Sequence, residues 1–175
     1  MGKYRFMTDR LAVRDMDMTD CDQVAEIWGN VEVGKYLADP YYKDGDELRS
    51  CFKNGELDNS ENWTDDFYFV LLDKINEKII GTACSWKMKG DVWAIGYAFK
   101  KEFWGQGLAT ELINGLEKFV KIKGGKYLSA DVAKENIGSL KACYKNDFKN
   151  YRQMTFAKAG TDILYEAFEL IKKIF

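Results

Sequence analysis

Four short segments of the chain have the pattern of β-strands, through alternation of apolar and polar residues in the first and through aromatic and aliphatic residues in the others. These segments are 9–15, 67–73, 79–86 and 92–99. The last three follow one another closely and are separated only by the turn sequences INEK (75–78) and KGD (89–91). Because strands joined by short turns pair side by side, the pattern predicts an antiparallel meander.

Elsewhere the apolar residues recur every three or four positions, which predicts amphipathic helices. We expect these helices from Thr19 or Asp20 through Trp28, from Asp46 to about Leu57, from Gly107 to Lys121, and from Asn136 through Tyr144. A strand is expected at 126–132, so the passage from 92 to 132 is a strand–helix–strand unit with parallel strands. Residues 152–157 predict a strand, whereas the tail from Asp162 fits either a strand or a helix.

These elements predict an α/β or α+β fold. Its sheet is expected to be mixed, mostly antiparallel and twisted, with a central βαβ unit and helices on both faces. The 175 residues contain no repeat and no linker long enough to divide them. We therefore predict one domain that spans residues 1–175.

Charge and composition narrow the class of partner. The chain has 26 basic and 28 acidic side chains, so no overall field draws it to nucleic acid or to an anionic membrane. The N-terminal segment has no apolar signal-peptide run, and the four cysteines are far apart without a C-x-x-C pair. We therefore expect a cytoplasmic protein with reduced thiols and no metal site. The absence of histidine excludes every mechanism that needs an imidazole base.

The most informative segment lies between the third meander strand and the long helix. It reads Trp104-Gly105-Gln106-Gly107-Leu108-Ala109-Thr110. Glycines at a strand-to-helix turn let the backbone approach a ligand, and the N-terminus of a helix attracts phosphate. The segment is neither a P-loop nor a Rossmann turn, since no G-K-[ST] follows and Glu111 is not a third glycine. The alternative is a tight turn in which the glycines serve geometry alone.

The stretch IGYAFKKEFWGQGLATEL (95–112) resembles the central motif of GNAT N-acetyltransferases, Q/R-x-x-G-x-G/A, and more narrowly the branch that acetylates ribosomal-protein N-termini. That branch carries an aromatic-tryptophan pair before G-x-G-x-A-T-E, as Phe103 and Trp104 stand here. TDRLAVRDM (8–16) is similar to the opening T-x-R-L-x-L-R, and NIGSLKACYKNDF (136–148) is similar to the N-x-x-S segment. Two positions depart from the pattern. Trp104 replaces the usual arginine or glutamine, and Asp147 replaces the glycine before the final phenylalanine.

The resemblance implies a site for acetyl-coenzyme A where two central strands splay apart. The backbone of 104–110 is expected to hold the pyrophosphate. The strand edge at Ala98 and Phe99 is expected to pair with the pantetheine arm, as an added strand pairs with a sheet edge. Asn136 and Ser139 are expected to face the same arm, although both also suit capping of their own helix.

In the family that this chain resembles, the amine attacks the thioester directly and no acyl-enzyme forms. Many relatives use a tyrosine of the last helix to protonate the departing thiolate. That position falls on Cys143 without a gap and on Tyr144 with a one-residue deletion; we prefer Tyr144. A strand-edge N–H near Phe99 is the expected oxyanion donor. Glu102 and Asp91 are the candidate bases, and a water relay is the alternative.

The acceptor stays open between a protein N-terminus, a polyamine, an aminoglycoside and an amino acid. Five aromatic residues are candidates for a wall around a cationic amine, although core packing explains them as well: Tyr36, Tyr41, Tyr42, Trp86 and Trp93. Two other classes of function compete with the enzyme. One is a non-catalytic module that binds coenzyme A or acetyl-coenzyme A as a sensor, and the other is an interaction domain with a chance glycine turn. A homodimer is compatible with the sequence.

Overall fold

The fold is built on an eight-stranded sheet within residues 4–53 and 66–175, which the computed structural model describes. Its strands are β1 (Phe6–Met7), β2 (Leu11–Asp15), β3 (Asp66–Asp73), β4 (Ile79–Lys87), β5 (Val92–Phe99), β6 (Tyr127–Ala133), β7 (Lys149–Ala157) and β8 (Leu164–Lys173). Their order across the sheet is β1-β2-β3-β4-β5-β6-β8-β7. Every pairing is antiparallel except that of β5 with β6. The predicted mixed, mostly antiparallel sheet is therefore confirmed.

Helices cover both faces of this sheet, as the sequence predicts. They are α1 (Cys21–Trp28), α2 (Gly45–Lys53), α3 (Leu108–Ile122) and α4 (Ile137–Lys145). Leu112 and Leu116 of α3 belong to the larger core on one face, while Trp28 and Leu48 belong to the core on the other. The last part of the second predicted helix, 54–57, lies outside the described residues. No helix in the described part of the chain is long and apolar enough to cross a lipid bilayer.

The C-terminal tail, which fits a strand or a helix from its sequence, forms a strand. It becomes β8, the second arm of a hairpin with β7, and inserts between β6 and β7. Tyr165 and Ala167 are buried while Leu164 and Glu166 are exposed, so the side chains follow the period of a strand. The strand predicted at 152–157 is confirmed and begins earlier, at Lys149.

Asp147 preserves the turn that follows α4, although it replaces a glycine of the family pattern. Its backbone has a φ of 62°, in the left-handed region that glycine adopts without strain. Asp and Asn tolerate this region better than most other residues. The N–H of Phe148 still donates to the carbonyl of Cys143 at 3.2 Å, so the helix ends in a hydrogen-bonded turn.

Candidate functional site

The two central strands separate halfway along their length. Only Val92–Ala94 of β5 pair with Tyr127–Ser129 of β6, after which β6 continues beside β8 alone. On its other edge β5 stays paired with β4 as far as Phe99. A cleft therefore opens in the middle of the sheet, beside the C-terminal half of β5.

Backbone groups of β5 face this cleft. Met88 N donates to Val92 O at 2.8 Å, and Lys100 N donates to Ile80 O at 2.9 Å, so the even-numbered residues of β5 bond to β4. Since the peptide groups of an antiparallel pair alternate between the two edges, those of Tyr97 and Phe99 face the cleft. The carbonyl of Phe99 accepts a hydrogen bond from Trp104 Nε1 at 2.7 Å. The N–H of Phe99 and the peptide groups of Tyr97 remain directed at the cleft.

A cavity of about 800 Å³ fills the cleft and continues to the glycine turn. This is the size range of small-molecule sites, about 300–1,000 Å³. Most of the predicted coenzyme-binding residues line it, namely Ala98, Phe99, Trp104, Gly105, Gly107, Leu108, Ala109, Thr110, Asn136 and Ser139. Gln106 lies outside the lining, and its side-chain amide donates to the carbonyl of Glu102 at 2.9 Å. Ala98 turns its peptide groups toward β4, where it is opposite Thr82.

The glycine turn presents unbonded N–H groups to the cavity. Gly105 and Gly107 have φ values of 73° and 77°, in the left-handed region. Gly107 is the N-cap of α3 and supplies no capping side chain. The first backbone bond of the helix runs from Glu111 N to Gly107 O at 3.1 Å, so the N–H groups before Glu111 precede the helical ladder. Together with the helix dipole they form a site suited to phosphate.

Residues of the opening motif support this turn. Arg10 Nη1 donates to the carbonyl of Gln106 at 2.9 Å. Its Nε and its backbone N–H each donate to the carboxylate of Glu111 at 2.7 Å. Thr8 Oγ1 donates to the same carboxylate at 2.5 Å. Burial raises the pKa of Glu111, but the hydrogen bonds from Thr8 and Arg10 outweigh it and hold this pKa below its usual value.

The start of α4 positions a tyrosine from β5. Asn136 is the N-cap, and its Oδ1 accepts from the N–H of Ser139 at 3.2 Å. The hydroxyls of Ser139 and Tyr97 are 3.0 Å apart. Burial raises the pKa of the neighbouring Cys143 thiol on α4 to about 11. Burial also raises the pKa of Tyr97. At neutral pH the phenol and the thiol are therefore both protonated.

The candidate catalytic residues from the sequence do not line the cavity. The hydroxyl of Tyr144 donates to Asn150 Oδ1 on β7 at 2.8 Å, and neither Tyr144 nor the buried Cys143 lines the cavity. Glu102 also lies outside the lining. Asp91 pairs with Lys126 at 2.9 Å, at the opposite end of β5 from the glycine turn. Among the aromatic candidates only Tyr36 and Trp86 line the cavity, whereas Trp93 is fully buried in the core.

Several residues that line the cavity were not predicted from the sequence as site residues. They include Asp39, Tyr97, Lys141 and Lys145. The two lysines are one helical turn apart on α4, a spacing that the sequence displays and that suits a polyphosphate. The other two carry no local signal, because only the fold brings them to the cleft. No group of three or more Cys, Asp or Glu side chains in the described residues is arranged to hold a metal ion.

Comparison with known proteins places this geometry in a family. Residues 10–149 match the acetyltransferase (GNAT) domain. An uncharacterized N-acetyltransferase, p20, of Bacillus licheniformis is 28% identical over 142 residues, which are 77% of this chain and 76% of that protein. The structure is similar to spermidine N-acetyltransferase from Vibrio cholerae, solved with CoA and spermine, with a TM-score of 0.77, 18% identity and coverage of 94% and 95%. It is also similar to ribosomal-protein-S5-alanine acetyltransferase from Vibrio fischeri, with a TM-score of 0.72, 18% identity and coverage of 96% and 95%.

The matched domain covers most of the chain, including the glycine turn and α4. It confirms the family that the three sequence motifs indicate. The chain is thus an N-acetyltransferase that belongs to the GNAT family.

Proposed function

We propose that this protein transfers the acetyl group of acetyl-coenzyme A to a primary amine, by direct attack of the amine on the thioester. The observation that carries the proposal is the continuity of one cavity from the glycine turn of α3 to the free edge of β5. A turn that binds phosphate and a strand edge that binds an extended arm are the two surfaces that coenzyme A requires.

The residues of the cavity fit the coenzyme. A side chain at Gly105 would meet no heavy atom within 4 Å, so the space over the turn is open. Lys141 and Lys145 add positive charge to the lining of the same cavity, which suits the phosphates of the coenzyme. The N–H of Phe99 and the peptide groups of Tyr97 suit the amide groups of the pantetheine arm.

Tyr97 supports the chemical step in two ways. Its backbone N–H faces the cleft and can donate to the carbonyl oxygen of the thioester as negative charge develops there. Its phenol is protonated at neutral pH and can give a proton to the departing thiolate. Ser139 orients this hydroxyl at 3.0 Å. We therefore assign Tyr97 the role of general acid, in preference to Tyr144.

For the acceptor we propose only a chemical class, a primary amine. The motif resemblance favours a protein N-terminus, and the Vibrio cholerae relative was solved with spermine. Carboxylates and aromatic rings on the α1 side of the cleft suit any of these amines in their cationic form.

Calorimetry with acetyl-coenzyme A, followed by an assay of thiol release with a panel of amines, tests the proposal. Binding together with amine-dependent thiol release is the expected result. Binding without thiol release for every amine would replace the enzyme with a coenzyme sensor. No binding by the folded protein would refute both functions.

A further inference from the structure

The α1 side of the cavity, here called the acceptor side, has walls that are mostly apolar and aromatic. They are formed by the C-terminal end of α1, the α1–α2 loop and the faces of β3 and β4, with one ring from β7: Trp28, Tyr36, Leu37, Tyr68, Trp86 and Phe156. Trp28 is fixed by a hydrogen bond from its Nε1 to Thr82 Oγ1 at 2.9 Å. Tyr36 packs edge-on against Tyr165, with ring centroids 5.4 Å apart. Walls of this kind favour a ligand with a hydrocarbon body.

Four carboxylates line the cavity, and they differ in their partners. Glu32 pairs with Lys101, and Glu135 lies 3.9 Å from Lys35. Asp131 is exposed on β6. Asp39 is half-buried, and no lysine or arginine of the described residues lies within ion-pair distance of its carboxylate. The acceptor side therefore offers one recessed negative charge in apolar surroundings.

Lys158, at the end of β7, holds the loop that carries Asp39. Its Nζ donates to the backbone carbonyls of Gly34, Leu37 and Asp39 at 2.8, 3.1 and 2.7 Å. The N–H of Ala159 also donates to Ala38 O at 2.8 Å. The loop is thus tied to the β7–β8 hairpin at Asp39 and at three residues before it. The backbone that carries the Asp39 carboxylate is therefore held before any ligand binds, and such preorganisation favours selective recognition.

Asp39 lines the same cavity as Gly96 and Tyr97 of β5, beside which the thioester would lie. Tyr68, Cys84 and Gly96 are neighbours across β3, β4 and β5. The negative charge of Asp39 adds to burial in raising the pKa values of Tyr68 and Cys84, both to about 12. A Cβ at Gly96 would lie 2.9 Å from Cys84 Sγ, so a side chain at this position would crowd the thiol. Gly96 directly precedes Tyr97, whose N–H faces the cleft.

We infer that Asp39 binds the ammonium group of the acceptor, and that the acceptor is a primary amine on an apolar, aliphatic or aromatic body. The inference rests on the proposed function. A polycation would need several unpaired acids along its length, and the acceptor side supplies one recessed acid among aromatic walls. An ammonium ion also gains from the faces of Tyr and Trp rings.

Among the described residues, the groups that face Asp39 add no second negative charge next to its carboxylate and form no ion pair with it. Tyr68 and Cys84 are neutral below pH 10 because their pKa values are raised to about 12. Lys158 is cationic. Its ammonium group donates three hydrogen bonds to carbonyls and lies 4.0 Å from the centroid of the Tyr41 ring, so these contacts stabilise its charge. Burial raises the pKa of Asp39 above the usual aspartate range, and the charge of Lys158 opposes that rise.

The test compares Asp39→Asn with Asp162→Asn, which removes an exposed carboxylate from the β7–β8 loop outside the cavity. Thiol release is measured with 2-phenylethylamine, spermidine, kanamycin and an alanine-initiated tripeptide. The wild type should show its highest kcat/KM with 2-phenylethylamine. Asp39→Asn should raise the KM for this amine by about tenfold or more, the effect of losing a charge-assisted hydrogen bond. Asp162→Asn should match the wild type, and all three proteins should bind acetyl-coenzyme A equally.

The pH dependence distinguishes recognition from a structural effect. In the wild type, kcat/KM should fall as the pH drops through the raised pKa of Asp39, and Asp39→Asn should lack this acid limb. An unchanged KM in Asp39→Asn, or a preference for spermidine, kanamycin or the peptide, would overturn the inference while leaving the proposed function intact. If acetyl-coenzyme A binds but no amine reacts, the proposed function fails and the inference fails with it.

Discussion

Arg10 and Glu111 are 101 positions apart in the chain, yet Arg10 Nε donates to Glu111 Oε2 at 2.7 Å. The same arginine donates to the carbonyl of Gln106, inside the glycine turn. Thr8 and Arg10 come from the opening motif, and Glu111 ends the motif that follows the glycines. The two motifs therefore form one structural unit, in which the connection between β1 and β2 holds the glycine turn before α3.

Replacing Glu111 should weaken this unit in a pH-dependent way. At pH 7, Glu111→Gln should lower the free energy of unfolding by about 1.5–3 kcal/mol, because it removes the charge from several hydrogen bonds. The pKa of Glu111 is lowered in the folded state. Its contribution is therefore full above the ordinary glutamate pKa of about 4.3, and it is lost as the pH falls through the lowered value. Urea unfolding at pH 7 and pH 3 measures this difference.

The control for this change is Glu26→Gln, which alters an exposed carboxylate on α1. It should change the free energy of unfolding by less than about 0.5 kcal/mol at both pH values. An equal loss of stability in Glu111→Gln at pH 7 and pH 3 would contradict the role of the ionised carboxylate.

Gly107→Ala should reduce acetyl-coenzyme A affinity by about tenfold or more, because a Cβ would stand where the backbone approaches the phosphates. The φ of 77° also predicts a stability loss of about 1–2 kcal/mol. Gly124→Ala is the matched control, since Gly124 has a φ of 84° at the other end of α3 and an open environment. It should lose similar stability and keep the wild-type affinity. Calorimetry and urea unfolding of both variants test the prediction; equal affinities would remove the turn from the site.

Tyr97→Phe should lower kcat by about 10- to 100-fold while acetyl-coenzyme A binding stays the same, because the phenol is the proposed proton donor. Tyr144→Phe is the matched control, since its hydroxyl bonds to Asn150 outside the cavity. It should keep kcat within about twofold of the wild type. Initial rates of thiol release with saturating amine measure the effect. The opposite ranking of the two variants would restore Tyr144 as the acid.

Lys158→Met should lower the free energy of unfolding by about 2–4 kcal/mol, because carbonyls of the α1–α2 loop lose a buried donor. Methionine keeps the apolar stem, so the packing of the side chain is largely retained. The released loop should also raise the KM for the amine. Lys149→Met, at an exposed position on β7, should stay within about 0.5 kcal/mol of the wild type. Urea unfolding and amine kinetics test the pair, and unchanged stability of Lys158→Met would contradict the clamp.

The local elements were predictable where one periodicity dominates. The meander strands and the long helix α3 lie within two residues of their predicted bounds, and Asn136 caps α4 as its side chain suggests. The tail was ambiguous, because its apolar residues satisfy a period of two and a period of 3.6 alike. In the structure the tail pairs with β6 and β7 and therefore forms a strand. Tertiary contacts select between the two conformations here, because β-propensity depends strongly on context.

The candidate site also has a part that was predictable from the sequence and a part that was not. The glycine turn was predictable, because its position and its backbone conformation depend on contiguous residues. The lining of the acceptor side was not, because Asp39, Tyr97 and Lys158 are individually ordinary in their local sequence. Tyr97 reaches Ser139 only because β5 and β6 diverge, and Asp39 is fixed only because a hairpin more than a hundred residues away reaches its loop.

The sequence by itself therefore determined the family, most of the strands and helices in their order, and the position of the glycine turn, since these depend on neighbouring residues and on short spacings. Only the tertiary structure decided which phenol faces the cleft, which carboxylate is recessed and what supports the turn. Those properties depend on burial and on contacts between residues far apart in the chain, and a buried group acquires its charge state and orientation from partners that local sequence does not specify.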